Sequence, residues 1–300
     1  SLSGNTASYG GGMYNYNSDP ILTNVSLSGN TASYGGGMYN YNSSATLTNT
    51  ILLGNTASTS DAGIYNSGSG SISITYSLVQ GQTNASNGNI DATGLTDTDI
   101  FKDAANGDYS LKPLGIAVNA GSNTLYNNAG GNLTTDIDGT GNLRVFQNTI
   151  DIGAYESQIP ILTPDANNII YVNKTATGNA TGNSWANATP ELAGALIWAN
   201  INKANFTTTP LQIWVAGGTY KPLYSPEDGV KFGTYQNRRN TFLMVNNVKI
   251  YGGIAGTEIL LTDRDLSISA NKTTLSGDFG TEDVITGSGN TLSITENETN

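Results

Sequence analysis

The 300-residue chain contains no cysteine and no histidine. The first absence excludes a disulfide framework, a thiol nucleophile and cysteine-ligated zinc or iron–sulfur. The second excludes a Ser-His-Asp triad and every imidazole-held metal. Charge is scarce too: 12 basic and 23 acidic residues leave a net charge of −11, which argues against nucleic-acid phosphates or an anionic membrane as partner. Residues 1–101 hold five aspartates, no glutamate and not one lysine or arginine. No apolar run approaches the roughly 20 residues of a membrane span. No basic-then-apolar leader opens the chain. Ser1 begins inside a repeat, so the sequence reads as a piece of something longer.

What fills the space is Asn (38), Thr (38), Gly (37) and Ser (27), together 140 of 300 residues. Much of this excess is periodic. Residues 1–25, SLSGNTASYGGGMYNYNSDPILTNV, and 26–50, SLSGNTASYGGGMYNYNSSATLTNT, agree at 21 of 25 positions. A third copy, 51–75, carries one inserted residue before Ile64, and a fourth starting near Ser77-Leu78-Val79 decays. A 25-residue period is too short for helix-pair repeats, and Gly, Asn and Ser are poor helix formers. Turn residues split the unit into three short strands, 12–16, 20–23 and 25–28. The expected fold is therefore all-β: a right-handed parallel β-helix with three short strands per coil of about 25 residues, each coil burying its apolar face on the next. Asn5, Asn30 and Asn55, with Asn24 and Asn49, recur at the repeat spacing as left-handed corners and bonding ladders. Leu2, Leu22, Val25, Leu27, Leu47, Ile51 and Leu53 are expected to fill the interior.

The units GNTASYGGGMYN at 4–15 and 29–40 resemble the repeats of polymorphic outer-membrane proteins and of bacterial pectin-lyase-like β-helix surface proteins. IFKDAANGDYSL (100–111), AVNAG (117–121), TDIDGTGNLR (135–144) and DIGAYE (151–156) are similar to the closing segment of the latter, common in multidomain Bacteroidetes-type proteins. The resemblance departs at two places. Asp138-Gly139-Thr140-Gly141-Asn142-Leu143-Arg144 stands where the family has aspartate-glycine-asparagine-proline-arginine, and Leu114-Gly115 stands where it has Ser-Pro. After a proline-bearing linker at 158–168, IIYVNKTATGNATGNSWANAT (169–189) resembles the opening of the same family. Thr189 and Pro190 then introduce a capping helix over 190–204 with Leu192, Ala195, Leu196 and Ala199 on its apolar face. RNTFLMVNNVKIYGGIAGTE (239–258) and TTLSGDFGTED (273–283) resemble first coils. The order implies the end of one β-helix, 1–157 (repeats 1–76, closing segment 77–157), and the start of a second, 169–300.

Function is expected to be non-catalytic: a secreted or cell-surface adhesin-like protein or stalk, meeting glycans or other surface proteins, with no nucleic acid and no direct membrane insertion. The alternative is a polysaccharide lyase or glycoside hydrolase, since the family's fold hosts both. A lyase needs a basic residue on a strand face; the repeats have none, and the second unit offers Arg238, Arg239, Lys249 and Arg264. A glycosidase needs two facing carboxylates. Asp97/Asp99, Asp136/Asp138 and Asp263/Asp265 have the spacing but read as turn residues. Asp136 and Asp138 also open a calcium-loop spacing, with Gln147 where the closing Glu belongs; no cofactor is expected apart from calcium there. Tyr14, Tyr16, Tyr39 and Tyr41 recur in register, as do Tyr9, Tyr34 and Tyr65. They are candidates for sugar binding, against a reading in which they only stabilise the sheet.

Overall fold

A computed structural model describes residues 1–83, 85–147, 149–224 and 240–277, together with the backbone strands Val284–Thr286 and Ser293–Thr295. The chain divides into two compact units, Ser1–Ser157 and Gln158–Asn300. Most strands lie in small parallel sheets, and helices are few.

In the first unit each repeat pairs with its own copy. Leu2–Ser3, Ser26–Ser28, Ile51–Leu53 and Leu78–Val79 form one parallel sheet. Met13–Tyr16, Met38–Tyr41 and Ile64–Ser67 form a second, and Ile21–Thr23, Ala45–Thr48 and Ile72–Thr75 a third. The register carries like onto like: Tyr14 opposes Tyr39, Asn15 opposes Asn40, Leu22 opposes Leu47. The expected three strands per repeat are joined by a fourth, since Thr31–Ala32 pairs with Thr56–Ala57. Two residues are too few to show as an alternating pattern in sequence. The third repeat also carries two extra residues rather than one. Asn40 meets Asn66 across 26 residues, whereas Thr48 meets Thr75 across 27. The second insertion is hidden in the Gly-Ser stretch 67–71.

Leu22, Leu27, Met38, Ala45, Leu47, Leu52 and Val79 form the core between these sheets. Ile51 and Leu53, expected there, point the other way. They join Leu78, Ile100, Phe101, Leu111, Val118 and Ile152 in a second core shared with the closing segment. Strand alternation explains this: Leu52 faces in, so its neighbours face out. The corresponding residues of the second repeat are Ser26 and Ser28.

The corners differ from expectation in one respect. Asn24 and Asn49 are left-handed (φ 52° and 48°), but at the other corner Gly4, Gly29 and Gly54 take that conformation, not Asn5, Asn30 and Asn55. Those asparagines are freed to bond along the stack. Asn5 Nδ2 donates to Asn30 Oδ1 and Asn30 Nδ2 to Asn55 Oδ1, both at 3.0 Å. Asn55 Nδ2 donates back to the Leu27 carbonyl at 2.9 Å. Gln80 continues the column, accepting from the Asn55 amide. A parallel ladder runs from Asn15 through Asn40 to Asn66. Asn55→Ala orphans the Asn30 main-chain N–H inside the protein, and is expected to cost about 1–3 kcal/mol. Urea titration checks this; a loss below about 1 kcal/mol would mean water replaces the side chain.

In the second unit Ile169–Val172, Leu211–Ala216 and Val248–Ile254 form a parallel sheet with Leu211–Ala216 central. The helix Leu192–Ile201 packs on its first two strands. It starts two residues later than the expected 190 and ends three earlier than 204. Thr189 is a bridge partner of Val172 rather than the N-cap, and Glu191 takes the cap position. Every residue from Leu192 to Ala199 is buried, so the helix is covered all round instead of along one stripe. Residues 158–168, expected as a linker, are packed: Ile159 and Leu162 are buried, and Thr163 donates to Thr181.

Candidate functional site

The Gly-Gly-Gly corner positions the tyrosines. Gly10 and Gly35 are left-handed, and the Met13–Tyr16 and Met38–Tyr41 strands start immediately after. Alternation sends Asn15 and Asn40 inward and Tyr14, Tyr16, Tyr39 and Tyr41 to the opposite face. Tyr16 and Tyr41 stack with ring centroids 5.2 Å apart and planes 5° apart. Tyr14 stacks on Tyr39 at 5.2 Å, and Tyr39 meets Tyr65 at 5.3 Å. Tyr9 stacks on Tyr34 at 5.4 Å and meets Tyr39 edge-on.

The four candidate rings are not equivalent. Tyr39 is buried by its neighbours, whereas Tyr14 and Tyr16 are exposed. Burial and then the neighbouring phenols, Tyr39 foremost, push the Tyr14 hydroxyl above its usual pKa. Parallel stacking turns ring faces toward each other and leaves edges and hydroxyls to water. Tyr41 opposes Ser67 on its far side, so no ring covers it there. On another face, the Thr-Ala-Ser columns Thr6/Thr31/Thr56, Ala7/Ala32/Ala57 and Ser33/Ser58 line an open groove of about 370 Å³.

The carboxylate pairs are separated by their hydrogen bonds. Asp99 Oδ2 accepts from the amide and hydroxyl of Thr96, which lower its pKa, while Asp97 accepts from the Thr98 amide. Asp263 accepts from Leu260 N and Asp265 from Ser267. Asp136 Oδ2 accepts from Asn132 N at 2.6 Å and Tyr126 Oη at 2.9 Å, and these two bonds lower its pKa. Asp138 Oδ1 accepts from Thr140 N, Thr140 Oγ1 and Asn142 N, and its Oδ2 from Glu156 N. Both calcium candidates thus hold donors of their own loop. No group of three or more acidic side chains able to hold a metal occurs among the described residues. Lys249 is exposed on its strand, Arg264 donates to the Gly252 carbonyl, and Arg238 and Arg239 lie outside the described residues.

Sequence reasoning missed a buried charged cluster in the closing segment. Asp138, Arg144, Asp151 and Glu156 are each at most 7% exposed. Asp151 accepts from Asn119 N and Ser157 N, both at 2.6 Å. Glu156 accepts from Phe146 N and Asp151 N, both at 2.9 Å. Arg144 donates to the carbonyls of Gly153 and Ala154. Burial dominates, raising Asp151 to about 7 and Glu156 to about 9. The same short segment grips the repeats: Gly153 N donates to the Asn49 carbonyl, Ala154 N to Ser26 Oγ, and Asn24 Nδ2 to the Asp151 and Gly153 carbonyls. Nothing in the pattern of DIGAYE marks its two acids as buried.

No protein-family model, curated protein or solved structure matches the chain. No described helix is long and apolar enough to cross a membrane.

Proposed function

We propose that the chain is part of a non-catalytic bacterial surface or secreted protein, adhesin-like or a stalk. Its first unit is read as the last coils of a right-handed β-helix of the pectin-lyase-like kind, and its second as the start of another. The observation that carries this is the bonding of each repeat to its own copy, side chain for side chain, over asparagine, threonine and tyrosine columns. Interchangeable units suit a spacer whose length is set by their number. An active site needs one unit unlike its neighbours, yet the first two agree at 21 of 25 positions. Any glycan contact falls to the exposed tyrosine edges and to the Tyr41 ring face above Ser67.

Deletion of residues 26–50 tests the reading. Val25 then joins Ile51, and Asn24 takes the place of Asn49 against the closing segment. The shortened protein is expected to fold cooperatively with a lower Tm, shorter by one strand spacing of about 4.8 Å. Loss of folding would overturn the interchangeable-unit reading, and unsaturated product from an acidic polysaccharide would overturn the non-catalytic one.

A further inference from the structure

We propose that Tyr16 and Tyr41 form an oxidative cross-linking site, which joins successive repeats through a carbon–carbon bond between the two phenols. Their rings are held together by main-chain pairing: Tyr16 opposes Tyr41 in a parallel ladder, with centroids 5.2 Å apart and planes 5° apart. Both are open to an oxidant, Tyr16 being 59% and Tyr41 36% exposed. Exposure also leaves each ring room to turn about its side-chain torsions and bring one ortho carbon onto the other. The Tyr14–Tyr39–Tyr65 column lacks this combination, because Tyr39 is only 8% exposed.

The surroundings favour coupling over quenching. The chain has no cysteine, and its three tryptophans, 185, 198 and 214, all lie in the second unit. A radical on either ring therefore has the other phenol as its nearest exposed partner in the same column. Holding two reactants side by side replaces a bimolecular encounter with an intramolecular one, at a high effective concentration.

The co-reactant is hydrogen peroxide, used through a haem peroxidase. Each phenol loses one electron and one proton, giving two phenoxyl radicals. The peroxide takes up two electrons and two protons and becomes two water molecules. The radicals join ortho carbon to ortho carbon, and the two ring protons at those carbons move through solvent to the phenolic oxygens as the rings regain aromaticity. The product is a dityrosine two hydrogen atoms lighter than its parents.

The full chain, dilute, is treated with hydrogen peroxide and a haem peroxidase, then cut by a protease specific for the amide before aspartate. Asp19 and Asp61 divide the region into fragments 1–18 and 19–60, one carrying Tyr16 and the other Tyr41. The expected result is dityrosine fluorescence in a monomeric product, with the two fragments joined and lighter by two hydrogens. Tyr16→Phe keeps the stacked ring, and so the fold, but removes the phenol; most of the joined product is expected to disappear. Tyr9→Phe, on the same fragment, is expected to leave it. An undiminished joined product in Y16F, its loss in Y9F, cross-links only between molecules, or no dityrosine at all would each overturn the proposal.

Discussion

Gly36→Ala is expected to destabilise the first unit by about 3 kcal/mol or more, at the upper end of what overpacking does. A β-carbon on Gly36 falls 2.3 Å from the Thr56 carbonyl oxygen and 2.7 Å from that of Ala62. Both are main-chain atoms of the next repeat. They cannot swing aside as a side chain would, because the surrounding ladder fixes them: Thr56 N donates to Asn30 O, and Gly37 N to Ala62 O. Relief requires separating two repeats. Gly4→Ala is the comparison. Gly4 is left-handed (φ 70°) with nothing within 4 Å of its β-carbon, so it loses only the conformational term of about 1 kcal/mol. Thermal melts of the two variants should differ widely; similar melting temperatures would mean that the repeats slide apart easily.

Stability is expected to fall as pH rises from about 5 to about 9, through the two buried acids of the closing segment. Asp151 and Glu156 are raised in the folded chain to about 7 and about 9, so the native state holds protons that the unfolded chain gives up near pH 4. A raised carboxyl contributes fully below its unfolded value, and that contribution is lost as pH climbs through the folded one. The four main-chain N–H donors and Arg144 favour ionisation but do not outweigh burial and the Asp151–Glu156 repulsion, to which Asp138 adds. A fall in Tm of about 5 °C or more across this range follows from a few kcal/mol of linkage. Glu156→Gln separates the titration from the packing. Its amide turns an NH₂ toward Phe146 N or Asp151 N, lowering the Tm at pH 5, while removing one titrating group. The pH slope should flatten. An unchanged slope would place the titration elsewhere.

The repeats were legible because duplication writes its own register: once 1–25 and 26–50 are aligned, Tyr16 must face Tyr41 and Asn15 must face Asn40. The helix was legible from Leu192, Ala195, Leu196 and Ala199, though its ends were not, because Pro190 and Thr189 were recruited to an extended connection. Ile51 and Leu53 misled because both lie in an apolar run, Ile51-Leu52-Leu53, where inside and outside look alike. The buried acids were invisible for another reason. An acid whose oxygens are filled by main-chain amides looks, in sequence, like any turn acid; only the fold shows that Asn119 and Ser157 supply the donors to Asp151, and Phe146 one of those to Glu156.

The change from Ser-Leu-Ser at 26–28 to Ile-Leu-Leu at 51–53 works as an address. The closing segment lays Ile100, Phe101 and Leu111 in the core that Ile51 and Leu53 complete, and serines cannot complete it. Of the aligned units, the third alone offers this apolar face, and its strand lies between Ser26–Ser28 on one side and Leu78–Val79 on the other. Changing the number of near-identical units ahead of Ile51 would therefore leave the packing of Ile100, Phe101 and Leu111 on Ile51 and Leu53 in place.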